Sequence, residues 1–168
     1  MKKQENNFAF IDSQNLIMAI KELGWILDTN RFRIYLREKY SVTKAYLFIG
    51  FMEEYQSLYK SLQENGYILI FRPTLKDKDG KIRKGNCDTE LVLQAMIEKC
   101  EYNKEIIVMG VGDFYCLVHY FIKARKLFKL LIPNEHKYSA LLKRFPSGLI
   151  AFLSNQRNKI EYKRKEPR

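Results

Sequence analysis

FAFIDSQNL, Phe8 to Leu16, is the stretch on which the reading of the chain turns. Four apolar residues, Phe8 to Ile11, run directly into Asp12, Ser13, Gln14 and Asn15. A short continuous apolar run fits a strand buried on both faces, as strands of a parallel sheet are. Asp12 then stands at the carboxyl end of that strand, where open α/β sheets place their ligand crevices. The pattern recurs once: the apolar run Ile106 to Met109 leads into Gly110-Val111-Gly112-Asp113.

Working outward from Phe8, apolar strand runs alternate with stretches of helical spacing. Further strands are expected at Lys44–Phe51, Tyr67–Phe71, Phe128–Ile132 and, as a strand or a packed turn, Leu149–Phe152. Helices are expected at Leu16–Leu23, after the capping residues Asp28 and Thr29, at Tyr55–Gln63 with Leu58, Tyr59 and Leu62 inward, at Thr89–Lys99, at Phe114–Lys126 and at Tyr138–Phe145. Asp79-Gly80 signals the turn of a small hairpin. Such alternation predicts one α/β domain, a three-layer α/β/α sandwich around a mostly parallel sheet, over residues 1–154. Residues 155–168 form a basic tail, either helical or loose.

The charge balance narrows the class of partner. Thirty Lys and Arg against 19 Asp and Glu leave a net +11, which favours polyanions, chiefly nucleic acid. No apolar run approaches the roughly 20 residues of a membrane helix, and Met1–Asn7 lacks the apolar core of a signal peptide, so a cytoplasmic protein without a membrane partner is expected. Cys87, Cys100 and Cys116 show no C-x-x-C spacing and are read as reduced core thiols. Tyr55, Tyr59 and Phe121, if exposed, would offer a homodimer face.

Asp12 ends the first strand, Asp88 opens a helix and Asp113 follows the fourth strand, so a parallel sheet brings all three to one edge. Converging carboxylates repel one another, and a bound Mg²⁺ or Mn²⁺ offsets that repulsion while lowering the pKa of a bound water. Read singly, each aspartate is a turn or helix-capping residue; read together, they point to a metal centre. Asn15 either holds a metal-bound water or a phosphate oxygen, or caps the first helix. Arg72–Lys84 carries six basic and two acidic residues and leads into the mouth of that crevice. Arg72, Lys76, Lys81, Arg83 and Lys84 are therefore candidate nucleic-acid backbone contacts. Tyr115 either stacks on a base or packs within its helix. A dinucleotide fingerprint is excluded at GVGDFY, because Tyr115 stands where its third glycine belongs.

Three motifs, FIDSQN at Phe8 and Ile11–Asn15, KGNCDTELVLQAM at Lys84–Met96 and MGVGDFYCLV at Met109–Val118, resemble the NYN family, a branch of the PIN-like nucleases, and within it the LabA-like proteins. The likeness runs from about Phe8 to Phe152. It implies a PIN-like sandwich and a Mg²⁺- or Mn²⁺-dependent ribonuclease whose acidic residues fall on Asp12, Asp88 and Asp113, with the amide of the first motif on Asn15. Relatives read SGDxDF in the third motif. Val111 stands here in place of the first aspartate and Met109 in place of the serine, so the acidic set loses one of four members. Two functions follow: a metal-dependent ribonuclease, weakened or intact, or a catalytically silent RNA-binding or scaffold module on the same fold.

Overall fold

The computed structural model describes residues 5–72, 75–76, 82–83 and 87–163, with the two short segments described as backbone alone. The chain starts in β1 (Asn7–Asp12), followed by α1 (Ser13–Glu22), α2 (Thr29–Tyr40), β2 (Val42–Gly50), α3 (Gln56–Glu64) and β3 (Tyr67–Arg72). A two-stranded antiparallel hairpin, β4 (Leu75–Lys76) with β5 (Ile82–Arg83), brackets the expected Asp79-Gly80 turn, which itself lies outside the described residues. Next come α4 (Asp88–Ile97), β6 (Glu105–Val108), α5 (Tyr115–Lys123), β7 (Leu127–Ile132), β8 (Ile150–Phe152) and α6 (Arg157–Ile160).

Six strands form one sheet in the order β3-β2-β1-β6-β7-β8, and every pairing in it is parallel. β1 is central and buried on both sides, as its unbroken apolar run predicts. Its residues alternate between two cores: Phe8 and Phe10 face one, Ala9 and Ile11 the other. The Ala9 and Ile11 core is covered by Leu16 and Ile20 of α1, Phe32 and Leu36 of α2, and Leu62 of α3. The opposite core takes Leu91 and Ala95 of α4 and Leu117, Val118 and Phe121 of α5. This is the three-layer α/β/α architecture.

Local signals set the helix boundaries. Asp12 and Asp28 cap α1 and α2, their Oδ1 atoms accepting from the backbone N–H of Asn15 and Arg31 at 3.0 Å each. Gly24 and Gly66 follow α1 and α3 with φ of +79° and +88°, the left-handed region in which a side chain is strained.

Several expectations need correction. Residues 138–145 make no α-helix; a single 3-10 turn at Leu142–Arg144 stands there. Leu58 is 44% exposed while Tyr59 and Leu62 turn inward. Cys100 and Cys116 lie on the surface and only Cys87 is half-buried, so the three free thiols are not a core set. Tyr59 and Phe121 are buried, and with Tyr55 they make no dimer face. Among the described residues no helix is long and apolar enough to cross a membrane.

The chain beyond residue 154 returns to the domain. Ile160 of α6 is fully buried in the Ala9 and Ile11 core, and Glu161 bridges to Leu27. Ile160→Ala should therefore cost about 2–5 kcal/mol, the range for truncating a buried isoleucine. Urea denaturation reads this directly, and a loss no larger than that of an exposed substitution would show that α6 adds nothing to the core.

Candidate active-site crevice

The sheet order places the crevice. From β1 the chain moves outward through β2 to β3, with α1 and α2 on one face. From the neighbouring β6 it moves outward the other way, with α5 on the opposite face. Connections leaving adjacent strands toward opposite faces open a cleft at their carboxyl ends, the topological switch point of an α/β sheet. A crevice of about 810 Å³ lies there, and Asp12, Asn15, Asp88 and Asp113 all line it.

Asp12 is half-buried at the end of β1, with its Oδ1 committed to the start of α1. Burial lifts its pKa above the usual carboxylate value; the Asn15 N–H opposes that rise, and the nearby charge of Asp88 adds to it. Asp88 is the first residue of α4 rather than its cap, a position that Cys87 occupies without a side-chain cap bond. The Cys87 thiol is pushed up to about 11, first by burial and then by the charges of Glu90 and Asp12, so it is a neutral group and a poor nucleophile at pH 7.

Asp113 sits in the 3-10 turn Gly112–Phe114. Phe114 anchors that turn in the core at 1% exposure while Asp113 is exposed. Val111 lines the crevice but also packs against the core, giving an apolar wall where the family pattern leads one to expect a carboxylate.

Asn15 has a structural duty. Its Oδ1 accepts from the backbone N–H of Gly110 at 2.6 Å, joining the start of α1 to the exit of β6. With the oxygen so engaged, the amide presents its NH₂ as a donor, suited to a phosphate oxygen or a water rather than to a metal ion.

The expected basic contacts are only partly placed. Arg72 ends β3 and pairs with Glu90 at 3.6 Å, outside the crevice lining. Lys76 and Arg83 are described by backbone alone, on β4 and β5; Lys81 and Lys84 lie outside the described residues. Tyr115 does not reach the crevice: its ring stacks on Phe145 with centroids 5.0 Å apart.

The wall that sequence reasoning missed is the loop after β7. His136, Lys137, Tyr138 and Ser139 line the crevice beside residues of α1. Ser139 N–H donates to the Gly110 carbonyl at 2.9 Å. At Gly112 a Cβ would fall 2.5 Å from Ser139 Oγ, so the loop closes tightly on this backbone and a side chain there would force Ser139 to move.

A divalent ion fits part of this set. Mg²⁺ and Mn²⁺ take oxygen ligands, and Mg²⁺ is commonly held by one or two carboxylates with water completing the shell. Asp12 and Asp88 are close enough for the charge of one to raise the pKa of the other, a repulsion that a cation relieves. Among the described residues, however, no three His, Cys, Asp or Glu side chains form a group able to hold an ion. The donor chemistry suits an ion on Asp12 and Asp88; the expected cage of three carboxylates is not assembled.

The sign of the Asp12 shift gives a test. Because its folded pKa is raised, ionising Asp12 costs stability at every pH above the folded value, and the cost vanishes below the unfolded value near 3.9. Asn caps helices as well as Asp. Asp12→Asn should thus raise the melting temperature at pH 7, and the gain should shrink as pH falls through the raised pKa toward 4. A variant less stable than the parent at pH 7 would contradict this.

Comparison with known proteins agrees with this geometry. The NYN domain model matches residues 8–150. A crystal structure of a protein of unknown function from Vibrio parahaemolyticus superposes with a TM-score of 0.69 at 23% identity, covering 84% of this chain and 89% of that one, which is a likeness of fold. None of the curated proteins compared with the chain matches it. A parallel sheet in this order, a crevice at its switch point lined by the three motif aspartates, and a family match over most of the length carry one conclusion: the chain belongs to the NYN domain family.

Proposed function

We propose that the chain is a divalent-metal-dependent ribonuclease that hydrolyses RNA phosphodiesters in the switch-point crevice. The observation that carries this reading is the placement of Asp12 and Asp88, two electrostatically coupled carboxylates, in one crevice with Asp113 at the exit of β6. When bound, the ion would supply a water of lowered pKa and a counter-charge for the phosphate.

The protein's own groups would do the rest. Asp12 and Asp88 would hold the ion with Asp12 ionised, the ion overcoming the effect of burial. Asn15 would offer its NH₂ to a phosphate oxygen, and exposed Asp113 would accept a proton or a water hydrogen bond at the same edge. The basic stretch Arg72–Lys84 and the net charge of +11 would draw the RNA backbone toward this face.

Val111 supports a second reading, an RNA-binding module without catalysis. A valine packed against the core neither ligates an ion nor accepts a proton, and it leaves the crevice one carboxylate short of the family pattern.

Cleavage of a labelled single-stranded RNA with Mn²⁺ separates the two. The parent chain should cleave slowly; Asp12→Asn and EDTA should each abolish the activity. Val111→Asp should raise the rate about tenfold or more by restoring a fourth carboxylate. RNA binding with no cleavage by either the parent or Val111→Asp would leave the binding module as the function.

A further inference from the structure

The charge inside the crevice poses a problem for an RNA substrate. Asp12, Glu22, Asp88 and Asp113 line it, and among the described residues the one Lys or Arg doing so is Lys137. Its Nζ lies 3.0 and 3.1 Å from the two carboxylate oxygens of Glu22, at the last turn of α1. The lysine therefore spans from the β7 loop to α1 across the crevice wall, its charge neutralised.

The loop backbone that carries Lys137 is held firmly. Asn134 is buried, and its Oδ1 accepts from His136 N–H at 2.9 Å. Ser139 N–H is tied to Gly110 O, and Tyr138 packs against Phe152. The ion pair itself is open to solvent, with the Lys137 side chain 73% and the Glu22 side chain 46% exposed. Such a pair contributes about 0–1 kcal/mol. A fixed backbone with a weakly held cationic side chain allows an exchange of partner without movement of the loop.

We infer that Lys137 is a phosphate-gripping residue of the crevice, held by Glu22 until RNA arrives and then transferred to a backbone phosphate. The exchange replaces one carboxylate with one phosphate oxygen, so the lysine charge stays compensated throughout. The inference rests on the RNA-cleaving reading above and names a residue that none of the sequence motifs contains.

The test is binding without chemistry: fluorescence anisotropy of an end-labelled single-stranded RNA, with Ca²⁺ replacing Mn²⁺, across a salt series. Lys137→Ala should bind several-fold more weakly, and its plot of log K against log salt should be shallower by about 0.7, one phosphate contact on a single strand. Glu22→Gln should tighten binding in the parent, and that gain should be largely lost in the Lys137→Ala background, the coupling expected if Glu22 acts through the lysine. Circular dichroism melts confirm that these exposed substitutions leave the fold intact. Equal affinity and equal salt slope for Lys137→Ala would overturn the inference, as would a Glu22→Gln gain of the same size in both backgrounds. A parent chain that binds no RNA even at low salt would overturn the RNA-cleaving reading itself, an outcome distinct from a parent that binds and a Lys137 variant that binds equally.

Discussion

The hydrogen bond from Gly110 N–H to Asn15 Oδ1 organises the functional edge of this protein. β1 and β6 are neighbours in the sheet, yet the helices that follow them pack on opposite faces, so their exits diverge. A divergence of this kind opens the crevice and also leaves loop backbone with few partners. Asp12 fixes the N–H of Asn15, Asn15 fixes the N–H of Gly110, and the Gly110 carbonyl fixes the N–H of Ser139. One chain of three hydrogen bonds therefore ties together the ends of β1, β6 and β7. Every candidate group on the β1, β6 and β7 walls hangs within a few residues of it.

Burial raises the pKa of both Asp12 and Glu105, with different consequences. Glu105, at the amino end of β6, is fully buried, and burial holds it well above the usual carboxylate range against the opposing effects of Tyr102 and Lys126. Tyr102 donates to its Oε2 at 2.7 Å, and the side chain is sealed from solvent. Glu105 is a packing group. Asp12 is raised for the same reason but faces an open crevice and a second carboxylate, so a cation can reach it. Access, rather than the shift, separates the structural acid from the candidate functional one.

What was legible in the sequence follows from the range of the interactions. β1, the cap at Asp28 and the glycine stops of α1 and α3 depend on residues a few positions apart, and each could be read locally. The Asn15 to Gly110 bond spans 95 residues and the Lys137 to Glu22 pair 115, and no local pattern records either. Residues 138–145 show how such a bond overrides periodicity. Tyr138, Leu141, Leu142 and Phe145 have helical spacing, but Ser139 is drawn to Gly110 and its Oγ accepts from Leu141 N–H. Those bonds, with Pro133 before and Pro146 after, leave only a 3-10 turn. Tyr115 was open between base stacking and packing because a ring at the start of a helix serves both; Phe145, thirty residues on, takes its face.

The electrostatic design then constrains how this crevice can work. A net charge of +11 would gather RNA over the outer surface on the proposed reading, but Asp12, Glu22, Asp88 and Asp113 line the crevice, and among the described residues its one Lys or Arg is Lys137. Entry must be compensated there. On the proposed reading a divalent ion held by Asp12 and Asp88 would do so, and Lys137 would add a second compensating charge from the β7 loop. Valine in place of the carboxylate of the resembled motif would change that balance in two directions at once: it would weaken the hold on an ion and lower the repulsion that a phosphate must overcome. On the reading proposed above, a valine at 111 that would cost catalysis would also favour retention of RNA, and the two functions proposed for the chain are neighbouring settings of one electrostatic balance.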